Sequence, residues 1–385
     1  MAADSAPASK RSGVGLTGAN HRAGIAHLIG DSILSQMTEA VKSSKCSYMK
    51  ILYHLTILPP KIPQAEALSQ EIAALGQQFG GQLNYLNPNL HSRLYWPRLL
   101  FGFQQLKWLR GQEIDADLHH FYNPDPFPFP ILGRLRRPVV YTITSGLGDR
   151  RPKISFFSRL AAVAVADERS LKQLRRWGLT NSVLVRPGID VSRFSYRPLP
   201  LGSEIRLMVG SAPWTEAQFR SKGVEALLQA ARQMPHLQLV FLWRGVLSDF
   251  MQRRIEQMGL TRQVTMVDKL VNVNEVLAEV HAGITLAERS GIIKSYPHSL
   301  LDCLAAGKPV LVSRAIPMAD YVAETGCGVV VESITAESIL AAIETLFSRY
   351  PARQQIAQQV GQRDFSQAAM VDSYRRVYRQ VLQAS

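Results

Sequence analysis

The sequence predicts an α/β protein built from two Rossmann-like, doubly wound parallel-sheet domains that face a cleft. Three observations carry this prediction. Short apolar runs of strand length alternate with helix-period segments, the pattern of parallel strands covered by helices on both faces. The alternation occurs twice, on either side of the proline-punctuated stretch "RPGIDVSRFSYRPLPLGSE" (186–204). The chain has 385 residues, enough for two cores of ordinary size.

Residues 1–48 stand apart. They are rich in Ala, Ser and Gly, open with "MAADSAPASKRSG" and have little periodicity. We expect a flexible N-terminal extension there, with one short helix near 24–41. No uninterrupted apolar core follows the basic residues, as a signal peptide requires, and the arginine content is poor for a transit peptide. Order is expected from Met49. "MKILYHLTILPP" (49–60) reads as a buried strand entering a loop, and "AEALSQEIAALGQQFG" (65–80) as a helix stopped by glycine. "DLHHFY" (117–122), "PVVYTIT" (138–144), "LAAVAVA" (160–166) and "SVLVRPG" (182–188) are strand-like, and "ERSLKQLRRWG" (168–178) is helix-like. Together they read as an N-terminal Rossmann-like domain over 49–198.

The second domain, 199–364, begins at "IRLMVGS" (205–211). It continues through "KGVEALLQAARQM", "LQLVFLWRG", "QVTMVDK", "AGITLAE" and "KSYPHSLLDCLAAGKPVLVS" (294–313), and closes with "CGVVVE" and "AESILAAIETLFSRY". The last segment, 365–385, contains a helix that puts Phe365, Met370, Tyr374, Val377 and Tyr378 near one face. It is expected to pack back toward the N-terminal domain. In facing doubly wound sheets, ligands lie beyond the carboxyl ends of the strands.

The bulk numbers exclude several classes. Charged residues make up 19% and hydrophobic residues 46%, which fits a globular chain rather than a disordered one. Cys46, Cys303 and Cys327 are scattered and odd in number, so they form neither a disulfide framework nor a metal-ligand spacing. A reducing, cytoplasmic setting follows as the expectation. No run of eighteen apolar residues exists, so no bilayer-spanning helix is expected. The formal charge of +14 predicts attraction to nucleic acid, an anionic membrane face or a phosphorylated substrate.

Chemistry concentrates in the second domain. Its first strand ends at Gly210. Lys222 and Gly223 then open a helix, an unfavourable place for a cation unless an anion sits there too. Ser299 and Asp302 match a capping box with an Asp variant. Asp302 also suits a pair of sugar hydroxyls, because a carboxylate offers two oxygens as acceptors.

The pieces "RPGIDVSRF", "SKGVEALLQAA", "SLLDCLAAGKPVLVS", "GCGVVVE" and the closing helix resemble the GT-B glycosyltransferases of family four (group 1), from about Met49 onward. The resemblance implies a retaining transfer of a sugar from a nucleoside diphosphate to an acceptor hydroxyl, with no metal or other cofactor. It implies that Lys222 contacts the donor phosphates. In the family's Glu-x7-Glu motif, the second carboxylate falls on Asp302 and implies a ribose contact. The first, on the donor sugar, falls on Lys294. Pro297 stands where the family often has glycine, which removes one amide donor. The expected donor set is therefore Gly210, Lys222, Gly223, Arg244, Lys294, Ser299, Leu300 and Asp302, with Lys222 and Lys294 as the catalytic pair. Arg220 is a stand-in for an arginine the family has after the first strand. Glu288 is a stand-in for the missing carboxylate. An epimerase on the same fold and a non-catalytic nucleotide-sugar binder are the alternatives.

On the acceptor side, Glu66, His119 and His120 are candidates, with His54 beside them; a histidine near a strand end is equally a satisfied structural residue. "DAD" (115–117) imitates a metal-binding pair but precedes a strand, so no metal is expected. "LYWPRLLFGFQQLKWLR" (94–110) mixes aromatic and basic residues, and 134–176 holds eleven Lys/Arg against three Asp/Glu. An interfacial helix with a basic patch would rest on an anionic membrane; an ordinary helix with a solvated basic face reads equally well. No nucleic-acid module is visible, so nucleic acid is not expected as a partner.

Overall fold

A computed structural model describes residues 49–59, 66–90, 92, 94–210, 212–243 and 247–384. The helix expected near 24–41, Cys46, Ser211 and Arg244 lie outside the described residues. Residues 49–385 form one compact unit.

The first half holds β1 Ile51–Leu55, β2 Gln82–Tyr85, β3 Leu118–Asn123, β4 Val139–Ile143, β5 Ala162–Val165 and β6 Ser182–Leu184, with helices α1 Ala67–Phe79, α2 Leu106–Gln112, α3 Ile154–Phe157 and α4 Glu168–Arg176. The second half holds β7 Ile205–Val209, β8 Leu237–Leu242, β9 Val264–Val267, β10 Ala282–Thr285, β11 Val310–Ser313 and β12 Gly328–Val331. Its helices are α5 Ala217–Ser221, α6 Val224–Gln233, α7 Ser248–Gln257, α8 Val273–Ala278, α9 His298–Ala305, α10 Met318–Thr325, α11 Ala336–Phe347, α12 Tyr350–Asp364 and α13 Gln367–Gln383. All strand pairs are parallel, and the sheet orders are β2-β1-β3-β4-β5-β6 and β12-β11-β10-β7-β8-β9.

Each sheet is buried on both faces, which is why its strands read as near-continuous apolar runs. Val140 and Val163 of adjacent strands fall into the two different clusters that sandwich the first sheet. Leu207 and Met208 do the same in the second. The last helix completes the first sheet's core: Met370, Tyr374, Val377 and Tyr378 of α13 pack among Tyr53, Tyr122 and Val140. The chain crosses back where Ile189 and residues 365–367 exchange backbone hydrogen bonds of 2.8 and 2.9 Å. Gly188 permits that crossing, because a Cβ there would stand 2.8 Å from Met370 Cβ and from Ser366 O.

Two segments differ from the sequence reading. Residues 94–110 do not form one helix. Pro97 precedes a 3-10 turn, Arg98–Leu100, and Gly102 at φ 87° separates it from a second turn and the short α2. Proline lacks the N–H that helix propagation needs, and a left-handed glycine ends a right-handed turn. The 15-residue α12 has no counterpart in the reading, because its buried face mixes Gln354, Ala357 and Gly361 with Val360 and gives a weak apolar stripe. Among the described residues no helix is long and apolar enough to cross a membrane.

Candidate functional site

The strand order of the second sheet reverses between β7 and β10, while all its strands stay parallel. Connections leave such a pair toward opposite faces, and in open α/β sheets this is where a ligand crevice lies, beyond the carboxyl ends of the two strands. Gly210 stands at that point. A Cβ on it would lie 2.3 Å from Ser299 Oγ, so only glycine lets α9 approach β7 this closely. Lys222 ends α5, and Gly223, at φ 70°, turns the chain into α6. A Cβ on Gly223 would meet Leu286, just past β10, at 2.7 Å. Both glycines therefore bring loops to one crevice. Lys222 is 7% exposed, and its Nζ donates to Ala212 O at 3.1 Å. Burial lowers its pKa to about 8. Glu288 donates its N–H to Ser221 O at 2.8 Å, and its carboxylate lies 3.7 Å from the exposed Arg220. Both side chains thus sit beside the Lys222 turn, not beside Lys294.

The start of α9 differs from the reading. Its N-cap is Pro297 and its first residue is His298, so Ser299 lies inside the helix and no capping box forms with Asp302. The Leu300 N–H donates to Pro297 O at 2.9 Å. The helix-start amides with no hydrogen bond among the described residues are those of His298 and Ser299. Asp302, half-buried, lies three residues after Ser299 and so shares its face of the helix.

The segment before α9 runs along the first half, where β4 and β5 end. Ser295 donates its N–H to Thr144 O at 3.1 Å and its hydroxyl to Asp167 Oδ2 at 2.6 Å. Burial raises the Asp167 pKa against the bonds from Ser295 and Ser170. Gly146 lets the two halves meet, since a Cβ there would stand 2.7 Å from Ser290 Cβ and 2.8 Å from Pro317 Cγ. Arg169 reaches across to Asp320 at 2.5 Å and to Arg314 O at 2.9 Å. Lys294 lies in this seam, with its Nζ 3.4 Å from Glu66 Oε1. Glu66 also caps α1 by accepting from Leu68 N. The first-half carboxylate and the unexpected lysine of the second half thus form one ion pair.

His54, His119 and His120 are a correction. All three are fully buried, and the last two stand in the amino-terminal half of β3, away from the carboxyl edge. Glu113 Oε1 lies 3.1 Å from His119 Nε2, and His119 Nδ1 lies 2.9 Å from His54 Nε2. A consistent assignment runs from carboxylate to His119 N–H to His54 N–H, with His54 neutral. Burial first, then the neighbouring histidines, push its pKa well down. His120 uses both nitrogens, on Tyr378 Oη at 2.6 Å and Thr142 Oγ1 at 2.7 Å. His120 thus joins the sheet to α13, and His54 and His119 join β1 and β3 to Glu113. Asp115 and Asp117 are engaged by Lys50, through its ammonium at 3.5 Å and its N–H at 2.8 Å.

A polar cluster that the reading missed lies at the reversal point of the first sheet, between β1 and β3. Thr56 bonds to Asn123 there, and Asn123 Nδ2 donates to Asp125 Oδ1 at 2.6 Å. Arg98 holds the same carboxylate with a two-pronged contact of 2.6 and 3.1 Å, and Arg150 lies 3.8 Å away. Burial would raise the Asp125 pKa, but the Arg98 guanidinium and Asn123 hold it below the ordinary carboxylate value. The signal in the sequence was "NPD" directly after an apolar strand.

Residues 215–363 match the model of the family described as glycosyl transferases group 1. No curated protein matches the chain by sequence. Among solved structures, the chain is similar to sucrose-phosphate synthase from Thermosynechococcus elongatus, with TM-score 0.67 and 14% identity over 87% of this chain and 100% of that one. It is similar to a glycosyltransferase from Rickettsia africae, with TM-score 0.68 and 11% identity over 88% and 100%. It is also similar to Anabaena HepE, solved in complex with UDP, with TM-score 0.63 and 14% identity over 85% and 99%. At these identities the likeness is one of fold: two facing Rossmann-like domains, the GT-B arrangement.

Proposed function

We propose that the protein is a glycosyltransferase that moves a hexose from a nucleoside-diphosphate sugar to an acceptor hydroxyl, retaining anomeric configuration and using no metal. The observation that carries the reading is the convergence of loops at the β7/β10 reversal. Gly210 admits Ser299, Gly223 positions the Lys222 turn, and the matched family segment covers Lys222, Gly223, Ser299 and Asp302. Lys222 supplies positive charge to the departing diphosphate, whose charge grows as the glycosidic bond breaks. The free amides at the start of α9 add donors to the same anion. Asp302 accepts from the ribose hydroxyls. The structural neighbour solved with UDP makes uridine the first nucleotide to try. Titration with UDP and UDP-glucose by calorimetry, followed by an assay of UDP release with candidate acceptors, tests the reading. Binding of neither ligand rejects it.

The acceptor side of this proposal includes peripheral contact with an anionic membrane. Support comes from the loop after β2 and the 3-10 turn that follows it, where Leu94 is 78% and Tyr95 82% exposed and Leu99 and Leu100 also face solvent. The formal charge of +14 favours an anionic surface. Sedimentation with anionic vesicles at low salt and release at high salt is expected. Equal recovery with neutral vesicles would oppose it.

A further inference from the structure

Four ionisable side chains form two facing pairs in the seam between the halves. Glu66 and Glu71 come from the start and the second turn of α1. Lys294 and His298 come from one short span ahead of and into α9. Lys294 Nζ is 3.4 Å from Glu66 Oε1, and His298 Nε2 is 2.8 Å from Glu71 Oε1. The second pair is close but badly directed. Neither Glu71 Oε1 nor either ring nitrogen of His298 has a hydrogen bond of acceptable geometry among the described residues. Glu71 is nevertheless 4% exposed. A small cavity of about 20 Å³ opens beside these groups, lined among others by Glu71, Thr142, Lys294, His298 and Tyr374.

This arrangement constrains what can enter. The ammonium of Lys294 already faces a carboxylate, so it is not an open anion site. The quartet holds two carboxylates and one ammonium, with the imidazole as the fourth member. Glu71 Oε1 is a buried acceptor with no well-directed donor among the described residues, a costly state unless something supplies one. A hydroxyl does: it donates to Glu71 and accepts from the Lys294 ammonium or an imidazole N–H. A carboxylate group cannot donate. It would displace Glu66 from Lys294 and then lie beside Glu71, against like charge in a poorly solvated seam. The seam also has the right neighbour. Ser299 touches Gly210 in the crevice, and His298 is the residue before it.

We propose that Glu66 and Glu71 are specificity-determining residues that reserve the seam for a neutral, polyhydroxylated sugar and reject an acidic one. The inference rests on the reading of the crevice as a nucleotide-sugar site and deepens it. Glu71 accepts a hydroxyl of the sugar. Glu66 neutralises Lys294, whose ammonium would otherwise favour a sugar carrying a carboxylate. The two carboxylates lie on the first half, so the choice of sugar depends on both halves meeting.

UDP-glucose and UDP-glucuronate test this, because they share the nucleotide and diphosphate and differ by a carboxylate. Dissociation constants for both, and for UDP, are measured by calorimetry on the full chain and on Glu66→Gln, Glu71→Gln and the double variant. Glutamine keeps the size of the side chain, and the melting temperature of each variant checks its fold. The parent is expected to favour the neutral donor by at least about 100-fold, the scale of close like-charge repulsion. The double variant is expected to narrow that gap by at least about tenfold with UDP affinity unchanged, and the single Glu66→Gln, which keeps an acceptor oxygen for the α1 cap, to narrow it in part. Equal affinity of the parent for the two donors, or an undiminished gap in all three variants, overturns the proposal while UDP binding leaves the donor site standing. Failure of the parent to bind UDP removes the donor site itself, and the proposal with it.

Discussion

The strand order of each sheet reverses once, and the two reversal points are furnished differently. At β7/β10 the furniture is backbone: Gly210 and Gly223 bring loops close, α9 offers amides, and one buried lysine adds charge. At β1/β3 it is side chains already bonded to one another: Thr56, Asn123, Asp125 and Arg98. Amides and a lysine whose proton is held loosely suit an anion that arrives with its own charge. A satisfied network of arginine, carboxylate and amide suits a ligand that offers both donors and acceptors. Under the proposed function, the first arrangement would receive the diphosphate and the second the neutral polar groups of the other substrate.

The largest effect that tests this contrast is at Lys222. Lys222→Ala is expected to lower turnover by roughly 30- to 1000-fold, the loss of about 2–4 kcal/mol of charge stabilisation. Folding should be retained, since the variant removes a buried cation. A well-folded variant with unchanged turnover would take Lys222 out of the site.

Next is the other reversal point. Arg98→Ala leaves Asp125 without its two-pronged partner and is expected to raise the acceptor KM by about tenfold, the scale of one charge-assisted hydrogen bond. UDP affinity should not change. If UDP binding weakens and acceptor use does not, the assignment of the two points is reversed.

The smallest effect lies beneath the sheet. Tyr378→Phe removes the hydroxyl next to His120 Nδ1. It is expected to cost about 1 kcal/mol of stability, read as a lower melting temperature, with kinetic constants unaltered. A changed KM at unchanged stability would return His120 to the list of acceptor residues.

The contrast also explains what the sequence disclosed. Strands buried on both faces, such as "PVVYTIT" and "LAAVAVA", announce themselves by composition. So do glycines demanded by close approach: Gly210 and Gly223 stood at the ends of recognisable strand and loop signals. Pairings across the seam did not, because nothing local couples Glu66 to Lys294, 228 positions away. The histidines of β3 misled for the same reason. Their partners, Glu113 excepted, come from other strands and from α13, so a polar residue that closes a core looked like one that faces a ligand. The helix expected over 94–110 failed on two local facts, Pro97 and the left-handed Gly102, which an aromatic and basic composition obscures.

The most direct measurement is a calorimetric titration of UDP against the parent and Lys222→Ala between pH 7 and 9.5. Burial has lowered the Lys222 pKa to about 8, and a bound diphosphate favours the charged ammonium. Below pH 8 the lysine is already protonated, so affinity should be nearly flat. Above it, binding must take up a proton, and affinity should fall by up to about tenfold per pH unit. Lys222→Ala should bind at least about tenfold more weakly at pH 7 and lose most of the slope. Equal affinity in the two proteins, or a parent that binds more tightly as pH rises, would contradict a diphosphate held by Lys222.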